Sequence, residues 1–329
     1  MKTTLSILLM LLSFARLSSA QFAPQYPLEG NDAIHKSDTR IKAWASEVVD
    51  FQRSYMQITD TALGLASAGS PSNALGMANS TIVSLGDGGS ITLRFDQAIK
   101  NGPGADFAVF ENAFANPLDS ALAFLELAFV EVSTDGVNFV RFPAISYLQT
   151  DSQITNETYS QASKINNLAG KYVSNYGTPF DLEQLKDSTG IDIDQIFFVR
   201  IIDVVGILNN KYTQYDHYEN PINDPWPTPF PSSGFDLDAV AVLYQNPSAI
   251  LEETWATENF KIYPNPCNEV LHISWKSTLE IQSYYISDLQ GKILLQGKIK
   301  NNQSVSTQAL LPGLYYFHTA GFSLPFVKL

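Results

Sequence analysis

Apolar and polar residues alternate in short stretches along this chain, which is the pattern of β-strands with one buried face. In the clearest stretch, apolar side chains occupy every second position of residues 91–95. A turn rich in glycine and proline follows at 101–104, and a second strand-like stretch covers 106–111. Glycine permits positive φ angles and proline fixes a bend, so both favour turns. The pattern therefore predicts two strands joined by a turn.

Three later segments extend this strand-rich pattern. Residues 124–133 alternate and end in a Thr-Asp-Gly hairpin signal. Residues 197–205 are almost continuously apolar, which is typical of a central strand. Residues 235–244 predict a last strand. Many short strands separated by glycine and proline turns indicate an all-β protein whose body is a jelly-roll β-sandwich.

Two segments have helical features. Ile41, Trp44 and either Val48 or Val49 recur at helical spacing and predict a short amphipathic helix. Asp181 is a suitable N-cap for a second short helix, with the two following leucines facing inward. Both helices would be minor elements of a strand-rich body.

Residues 1–20 have the features of a signal peptide. They combine Lys2, a short apolar run and small residues before an expected cleavage site after Ala20. The apolar run is too short to span a bilayer, and no later stretch predicts a transmembrane helix. We therefore expect an exported protein whose mature chain has no transmembrane segment. The only cysteine, Cys267, excludes an internal disulfide and a Cys-based zinc site.

The negative charge is concentrated in the body. The net charge is -13, and residues 21–250 hold 27 acidic and 12 basic side chains. Phosphate binding needs clustered lysine and arginine, so we expect no nucleic-acid partner. Carboxylate-rich surfaces suit Ca²⁺, although acidity alone also keeps a secreted protein soluble.

The C-terminal segment 258–329 contains three motifs in order. They are IYPNP at 262–266, ISDLQGK at 286–292 and LPGLYY at 311–316. The segment resembles the type A C-terminal sorting domain of the type IX secretion system of Bacteroidota. The resemblance implies a small β-sandwich that interacts with the type IX machinery and brings the protein to the cell surface or the medium. Residues 21–245 are then the body, and 246–257 a linker.

The body also carries recognisable motifs. They are SLGDGGSITL at 84–93, NGPGADFAVFEN at 101–112, ELAFVEVS at 126–133 and GFDLDAV at 234–240. The body resembles a bacterial cell-surface protein family whose members look like galactose-binding-type jelly rolls. Some similar proteins occur near corrinoid (vitamin B12) uptake systems. The resemblance implies a glycan or corrinoid ligand, and an outer-membrane uptake receptor among the expected partners.

A carboxylate and an amide at the end of an apolar strand form the first candidate site. Glu111 and Asn112 close the stretch 106–111, where charges seldom lie unless they are paired or bound to metal. They are candidates for lining a ligand cleft. The alternative is that Glu111 pairs with Arg200.

Two aspartates form the second candidate site. Asp236 and Asp238 lie two apart on one strand, so regular alternation directs both side chains to one face, with Cβ atoms about 7 Å apart. Repulsion between such carboxylates is relieved by Ca²⁺, which gathers oxygen ligands from both. The alternative is pairing with an arginine: Arg94, Arg141 or Arg200.

The long connection 206–234 is the third candidate. A connection of this length inside a compact domain is uncommon and often functional. It carries Tyr215, Trp226 and Phe230 among five prolines, which stiffen the backbone. Planar rings can stack on a sugar or a corrin, so these three residues are candidate ligand contacts. The alternative is that Trp226 and Phe230 plug the end of the sandwich.

These features indicate a surface-displayed, non-catalytic binding protein, stabilised by Ca²⁺. The chain has no HExxH or GxSxG motif and no cysteine nucleophile in the body. Two alternatives stay open: a carbohydrate-active enzyme that uses paired carboxylates, and a structural adhesin.

Overall fold

A computed structural model describes residues 22–245, 260–275, 281–289, 291–319 and 322–329. The predicted signal peptide and linker lie outside the described residues. No helix in the described ranges has the length and apolar character needed to cross a bilayer.

The body contains seventeen described strands and four short 3-10 helices. The strands are β1 (Ile34–His35), β2 (Ala43–Trp44), β3 (Glu47–Gln52), β4 (Val83–Ser84), β5 (Ser90–Ile99), β6 (Phe107–Glu111), β7 (Phe114–Asn116), β8 (Asp119–Phe124), β9 (Ala128–Ser133), β10 (Val140–Arg141), β11 (Ile145–Ser146), β12 (Ser160–Gln161), β13 (Ile165–Asn166), β14 (Leu168–Ala169), β15 (Tyr176–Phe180), β16 (Ile196–Asp203) and β17 (Asp236–Val242). The helices are Thr61–Leu63, Pro71–Ala74, Ala162–Lys164 and Leu182–Leu185.

Two six-stranded sheets form a β-sandwich, as predicted. The first sheet has the order β1-β15-β6-β17-β2, with β4 beside β17. The second has the order β10-β9-β16-β5-β3, with β14 beside β9. Side chains of both sheets meet in one buried cluster, for example Val109 and Val240 of the first sheet against Leu93 and Val199 of the second. The alternation in β6 separates its two faces, because Phe107 and Val109 enter this cluster while Phe110 enters another.

The strand predictions agree with the observed sheets. Strand β16, predicted as central from its continuous apolar run, lies between β9 and β5. The hairpin signal at 134–137 joins β9 to β10, whose Val140 pairs with Val132. Asp181 caps a 3-10 helix by accepting from the Glu183 backbone N–H at 2.9 Å, which confirms the predicted N-cap.

The helix predicted over residues 41–49 is wrong, because this segment forms β2 and β3. Trp44 pairs with Ala241 in the first sheet, whereas Val48 pairs with Leu93 in the second. The apolar residues therefore face different clusters instead of one stripe, and the chain crosses between sheets at the buried Ala45. Pairing with two long strands outweighs a weak helical spacing in a segment this short.

The C-terminal segment forms two further antiparallel sheets. Its strands are β18 (Phe260–Tyr263), β19 (Val270–Trp275), β20 (Ile281–Ser287), β21 (Ile293–Lys300), β22 (Gln303–Ser306), β23 (Gly313–Thr319) and β24 (Phe322–Lys328). The orders are β18-β19-β22 and β21-β20-β23-β24. Cys267 is fully buried in the core of this unit, together with Ile273 and Phe317. The predicted second β-sandwich is thus observed.

Candidate functional site: the acidic end of the sandwich

Six carboxylates collect at one end of the body, which we call the acidic end. They are Asp87, Glu111, Glu126, Asp203, Asp224 and Asp236. Each lies at or beside the end of a core strand or in the connection 206–234. Because β6 and β16 end where β17 begins, antiparallel pairing brings these positions to the same edge of the two sheets. All six are buried.

Asp87 and Asp203 fasten the turns at this end. Asp203 accepts from the backbone N–H of Gly88 at 2.7 Å and of Phe235 at 2.6 Å, one on each oxygen. It thereby joins the start of β5 to the start of β17. Gly234, at φ 70°, leaves no room for a side chain here, since a Cβ would lie 2.9 Å from the Asp203 carboxylate. Both oxygens of Asp87 also accept hydrogen bonds, from Ser233, Ile58 and Trp226.

Two other carboxylates have buried oxygens without partners. Glu111 is 2% exposed; one oxygen accepts from the Ala113 N–H at 2.7 Å, and Oε1 has no hydrogen bond. Asp224 is 3% exposed; Oδ2 accepts from the Leu127 N–H at 3.2 Å, and Oδ1 has none. Buried oxygens of this kind cost free energy unless a proton or a cation compensates them.

Burial and mutual negative charge raise the pKa values of several of these carboxylates. Burial, and then the negative charges of Asp236 and Glu111, raise the pKa of Glu126 well above its usual value. Burial and Asp236 likewise raise the pKa of Glu111. Burial and Asp203 raise the pKa of Asp224. Burial raises the pKa of Asp203 to about 8 and that of Asp236 to about 6.

Arginine does not neutralise this end. Glu131, at the middle of β9, accepts from Arg141 at 2.8 Å and also pairs with Arg200. Arg94 lies 3.6 Å from Glu47. Within the described ranges none of the six carboxylates forms an ion pair. The alternatives in which an arginine pairs with Glu111, Asp236 or Asp238 are therefore not observed there.

Asp236 and Asp238 do not share partners. Asp236 accepts from the Ser84 hydroxyl and, at 3.1 Å, from the Asn112 amide. Asp238 accepts from the backbone N–H groups of Asn79 and Ser80, each at 3.1 Å. A β-bulge between Leu237 and Ala239 interrupts the alternation on which the one-face prediction depended. Ca²⁺ binding by this pair stays a prediction.

The opposite end of β6 shows what a purely structural carboxylate looks like. Asp106 accepts from the Gly102 N–H on one oxygen and from the Leu182 N–H on the other, both at 2.7 Å. It ties the predicted turn and the 3-10 helix to the sheet. Glu111, which terminates the same strand at the acidic end, keeps one oxygen unsatisfied.

The connection 206–234, which we call the capping loop, covers the acidic end and is firmly anchored. Asp216 is buried and accepts from the N–H groups of Ser146 at 3.1 Å, Tyr218 at 2.8 Å and Asn220 at 2.9 Å. The Trp226 indole is half-buried and donates to Asp87 at 3.2 Å. Trp226 thus lies beside Asp87, close to the start of β5.

The loop aromatics do not pack on one another. Tyr215 is 55% exposed and Phe230 46%. No ring contact joins Tyr215, Trp226 and Phe230 in the described part of the chain. The alternative that Trp226 and Phe230 plug the end of the sandwich therefore fits Trp226, whose indole N–H is hydrogen-bonded to Asp87. It does not fit Phe230, which faces solvent.

Two features of this end were missed in the sequence. One is the carboxylate set Asp87, Glu126 and Asp203, of which only Asp203 gave a signal, as a charge inside an apolar strand. The other is the hairpin β7–β8, where Phe114 is 54% exposed and stacks on Phe124 with ring centroids 5.0 Å apart. Its alternation is short and follows a strand closely, so it looked like part of a loop.

Comparison with known proteins identifies the C-terminal unit. Residues 261–323 match the family described as "Secretion system C-terminal sorting domain". The protein therefore carries a type IX sorting domain, which interacts with that secretion machinery and indicates a secreted or cell-surface location. No curated protein matches the sequence.

Solved structures give only distant likenesses. A β-glucuronidase from Ruminococcus gnavus in complex with uronic deoxynojirimycin is 12% identical, with 93% of this chain and 46% of that chain covered and a TM-score of 0.19. The BSP domain of a biofilm-associated protein is 10% identical, with 89% and 53% covered and a TM-score of 0.19. Lactobacillus rhamnosus β-glucuronidase is 8% identical, with 93% and 45% covered and a TM-score of 0.19. The chain spans about half the length of these proteins, and scores this low say nothing about function.

Proposed function

We propose that the body is a non-catalytic glycan-binding module that the sorting domain delivers to the cell surface. The observation that carries the proposal is the exposure of aromatic rings on fixed backbone at the acidic end. Tyr215 directly precedes Asp216, which accepts from the Ser146 N–H, and Phe230 directly precedes Pro231, whose carbonyl accepts from Ser67 and Ala68. Rings held this way can stack on sugar faces with little loss of conformational entropy.

The hairpin β7–β8 carries another exposed aromatic ring, Phe114. Phe114 is the first residue of β7 and comes two residues after Asn112 in the chain. It therefore lies on the segment that continues from the acidic end. Phe124 and Tyr159 support the ring from the stacked and the edge directions, at 5.0 and 6.2 Å. Binding residues carried on loops above a rigid sandwich are a common arrangement.

The test is a glycan array probed with the exported chain, followed by titration of the glycans that bind. We expect saturable binding that falls at least about tenfold in Tyr215→Ala or Phe230→Ala, since stacked aromatic contacts contribute on the order of 1 kcal/mol or more. Val137→Ala is the matched control, because Val137 is 43% exposed in the hairpin at the opposite end.

Other outcomes separate the alternatives. Binding of cyanocobalamin with no glycan binding would keep the site but replace the ligand class with a corrinoid. Release of sugar from bound glycans would establish an enzyme. Equal binding by Val137→Ala and the two loop variants would show that the aromatic surface is not the site.

A further inference from the structure

Two arginines and one glutamate form a row on the outer face of the second sheet, which we call the arginine row. Arg141 of β10 and Arg200 of β16 are the direct cross-strand partners of Glu131 in β9. Val130 and Val199, each one position away from a member of the row, enter the core between the sheets. Because successive side chains of a strand point to opposite faces, the row lies on the face turned away from that core.

Glu131 holds both guanidinium groups by one edge. Its Oε1 accepts from Arg141 Nε at 2.9 Å and lies 2.8 Å from Arg141 Nη2. Its Oε2 accepts from Arg200 Nε at 2.7 Å and also from Arg200 Nη2. The Glu131 side chain is only 9% exposed, so these charge-assisted bonds are shielded from water. They use at most two of the five N–H donors that each guanidinium has.

Aromatic rings hold the same two groups by one face. The guanidinium carbon of Arg141 lies 4.1 Å from the Phe129 ring centroid, and that of Arg200 lies 3.8 Å from the Phe139 ring centroid. An edge bond combined with a cation–π contact fixes the plane of each guanidinium. The Arg141 and Arg200 side chains are nevertheless 44% and 32% exposed. Their orientation is thus set before a ligand arrives, while part of each side chain is open to solvent.

The arginine row is positively charged within a strongly acidic body. Residues 21–250 hold 27 acidic and 12 basic side chains, whereas the row has two arginines for its one glutamate. Thr92 of β5 and then Asp50 of β3 continue the row beyond Arg200. Adjacent strands are about 4.8 Å apart, so the Asp50 backbone lies about 10 Å from that of Arg200, a full Debye length at 0.1 M salt. One positive charge of the row is therefore left without a counter-charge from the row itself.

We propose that Arg141 and Arg200 bind a carboxylate or sulfate group of an acidic polysaccharide. Guanidinium groups suit such oxyanions because their N–H donors lie in one plane and can meet two oxygens at once. A nucleic acid would need a longer basic track than two arginines provide. The sorting domain brings the protein to the cell surface or the medium, where uronate and sulfate groups occur on polysaccharides. No residue of the acidic end takes part, so the site is separate from the one under the proposed function.

The experiment titrates the full exported chain with polygalacturonate, with dextran sulfate and with uncharged dextran, in about 20 mM and about 500 mM NaCl. We expect saturable binding of at least one polyanion and no binding of dextran. Affinity should fall at least about tenfold at the higher salt, because the two arginines are partly exposed and their charges are screened. The ratio of the two polyanion affinities identifies the bound group as carboxylate or sulfate.

Two arginine variants locate the site. Arg141→Gln and Arg200→Gln should each weaken polyanion binding at least about tenfold, because each removes charge-assisted hydrogen bonds to the ligand. The matched control is Arg40→Gln, which removes the same charge from a side chain that is 58% exposed and pairs with Asp38. Its affinity should stay within about twofold of the wild type, since a distant exposed charge is screened.

Glu131→Gln separates ligand binding from folding. It keeps both arginines and removes the negative charge that they share, so polyanion affinity should equal or exceed that of the wild type although stability falls. Melting curves show whether each variant is folded at the titration temperature. If an arginine variant is unfolded there, the affinity of Glu131→Gln still decides, because a weaker affinity in this folded variant would contradict attraction by the arginines.

Three results would overturn the proposal. Absence of polyanion binding at low salt would make the arginine row a purely structural ion-pair cluster. Equal affinities in Arg40→Gln, Arg141→Gln and Arg200→Gln would show that only the net charge of the chain matters. Polyanion binding that is lost in Tyr215→Ala or Phe230→Ala and kept in both arginine variants would place the ligand on the capping loop. The proposed function is decided by those two loop variants alone, so the two proposals can fail separately.

Discussion

Trp226 offers a direct test of whether the capping loop is a structural lid, a ligand surface, or both. Its indole N–H donates to Asp87 at 3.2 Å, and its backbone N–H donates to Ile154 at 2.9 Å, which no side-chain substitution removes. Trp226→Phe keeps an aromatic ring and deletes only the bond to Asp87. Trp226→Ala deletes the ring as well.

The structure sets the size of each effect. Asp87 retains Ile58 and Ser233 as donors in both variants, so losing one charge-assisted bond should cost about 1.5 kcal/mol, at the low end for such bonds. Truncating a fully buried aromatic costs about 3–5 kcal/mol, and Trp226 is half-buried, so Trp226→Ala should cost about 2–3 kcal/mol in total. These losses correspond to melting temperatures lowered by roughly 3 °C and 6–10 °C.

Urea unfolding followed by circular dichroism is the suitable assay, because the fluorophore itself is changed. Tyr215→Phe is the control and should stay within about 0.5 kcal/mol of the wild type, as expected for an exposed side chain. If the free energy of unfolding of Trp226→Ala also stayed within about 0.5 kcal/mol of the wild type, the claim that the loop is fastened through Asp87 would be refuted. Glycan affinity lost in Trp226→Ala but kept in Trp226→Phe would give the ring a second role in stacking.

Two further predictions concern export and the second sheet. Deleting residues 258–329 should leave the protein in the periplasm, because the sorting domain is lost while the predicted signal peptide stays; fractionation and surface labelling measure this, and normal surface display would contradict it. Glu131→Gln should lower stability by about 1–2 kcal/mol, less than a fully buried pair because Arg141 and Arg200 are partly exposed. The control Glu183→Gln removes a solvent-exposed pair with Lys186 and should leave stability unchanged. Equal urea midpoints for Glu131→Gln and Glu183→Gln would contradict the claim that the ion pairs of Glu131 stabilise the fold more than an exposed pair does.

Local patterns along the chain predicted the strands well but could not predict the contacts of the site. Strands β5, β6, β9, β16 and β17 were evident because each is stabilised by the burial of its own alternating or continuous apolar face. The segment 41–49 was misread because its hydrophobic spacing is compatible with a helix, and only the partner strands decide between the two. Local periodicity contains no information about those partners.

The carboxylate set illustrates the same limit more sharply. Glu111 attracted notice because it terminates an apolar strand, and Asp236 because it lies two residues from Asp238. Glu126 and Asp224 are about 100 residues apart in the chain and meet only through the antiparallel topology and the capping loop. Whether a carboxylate is a fastener or an unsatisfied group depends on backbone N–H groups such as those of Gly88 and Leu127, whose positions follow from the fold.

The capping loop combines buried anchoring contacts with exposed aromatic rings. Asp224 lies in the capping loop, two residues from Trp226, and accepts from the N–H of Leu127, which directly precedes β9. The Trp226 indole fastens the loop to Asp87 as well. Stacking surfaces work best when they are fixed before the ligand arrives, because less conformational entropy is then lost on binding. The buried contacts of Asp224 and Trp226 are thus physically consistent with a loop that presents the rings of Tyr215 and Phe230 in a fixed position.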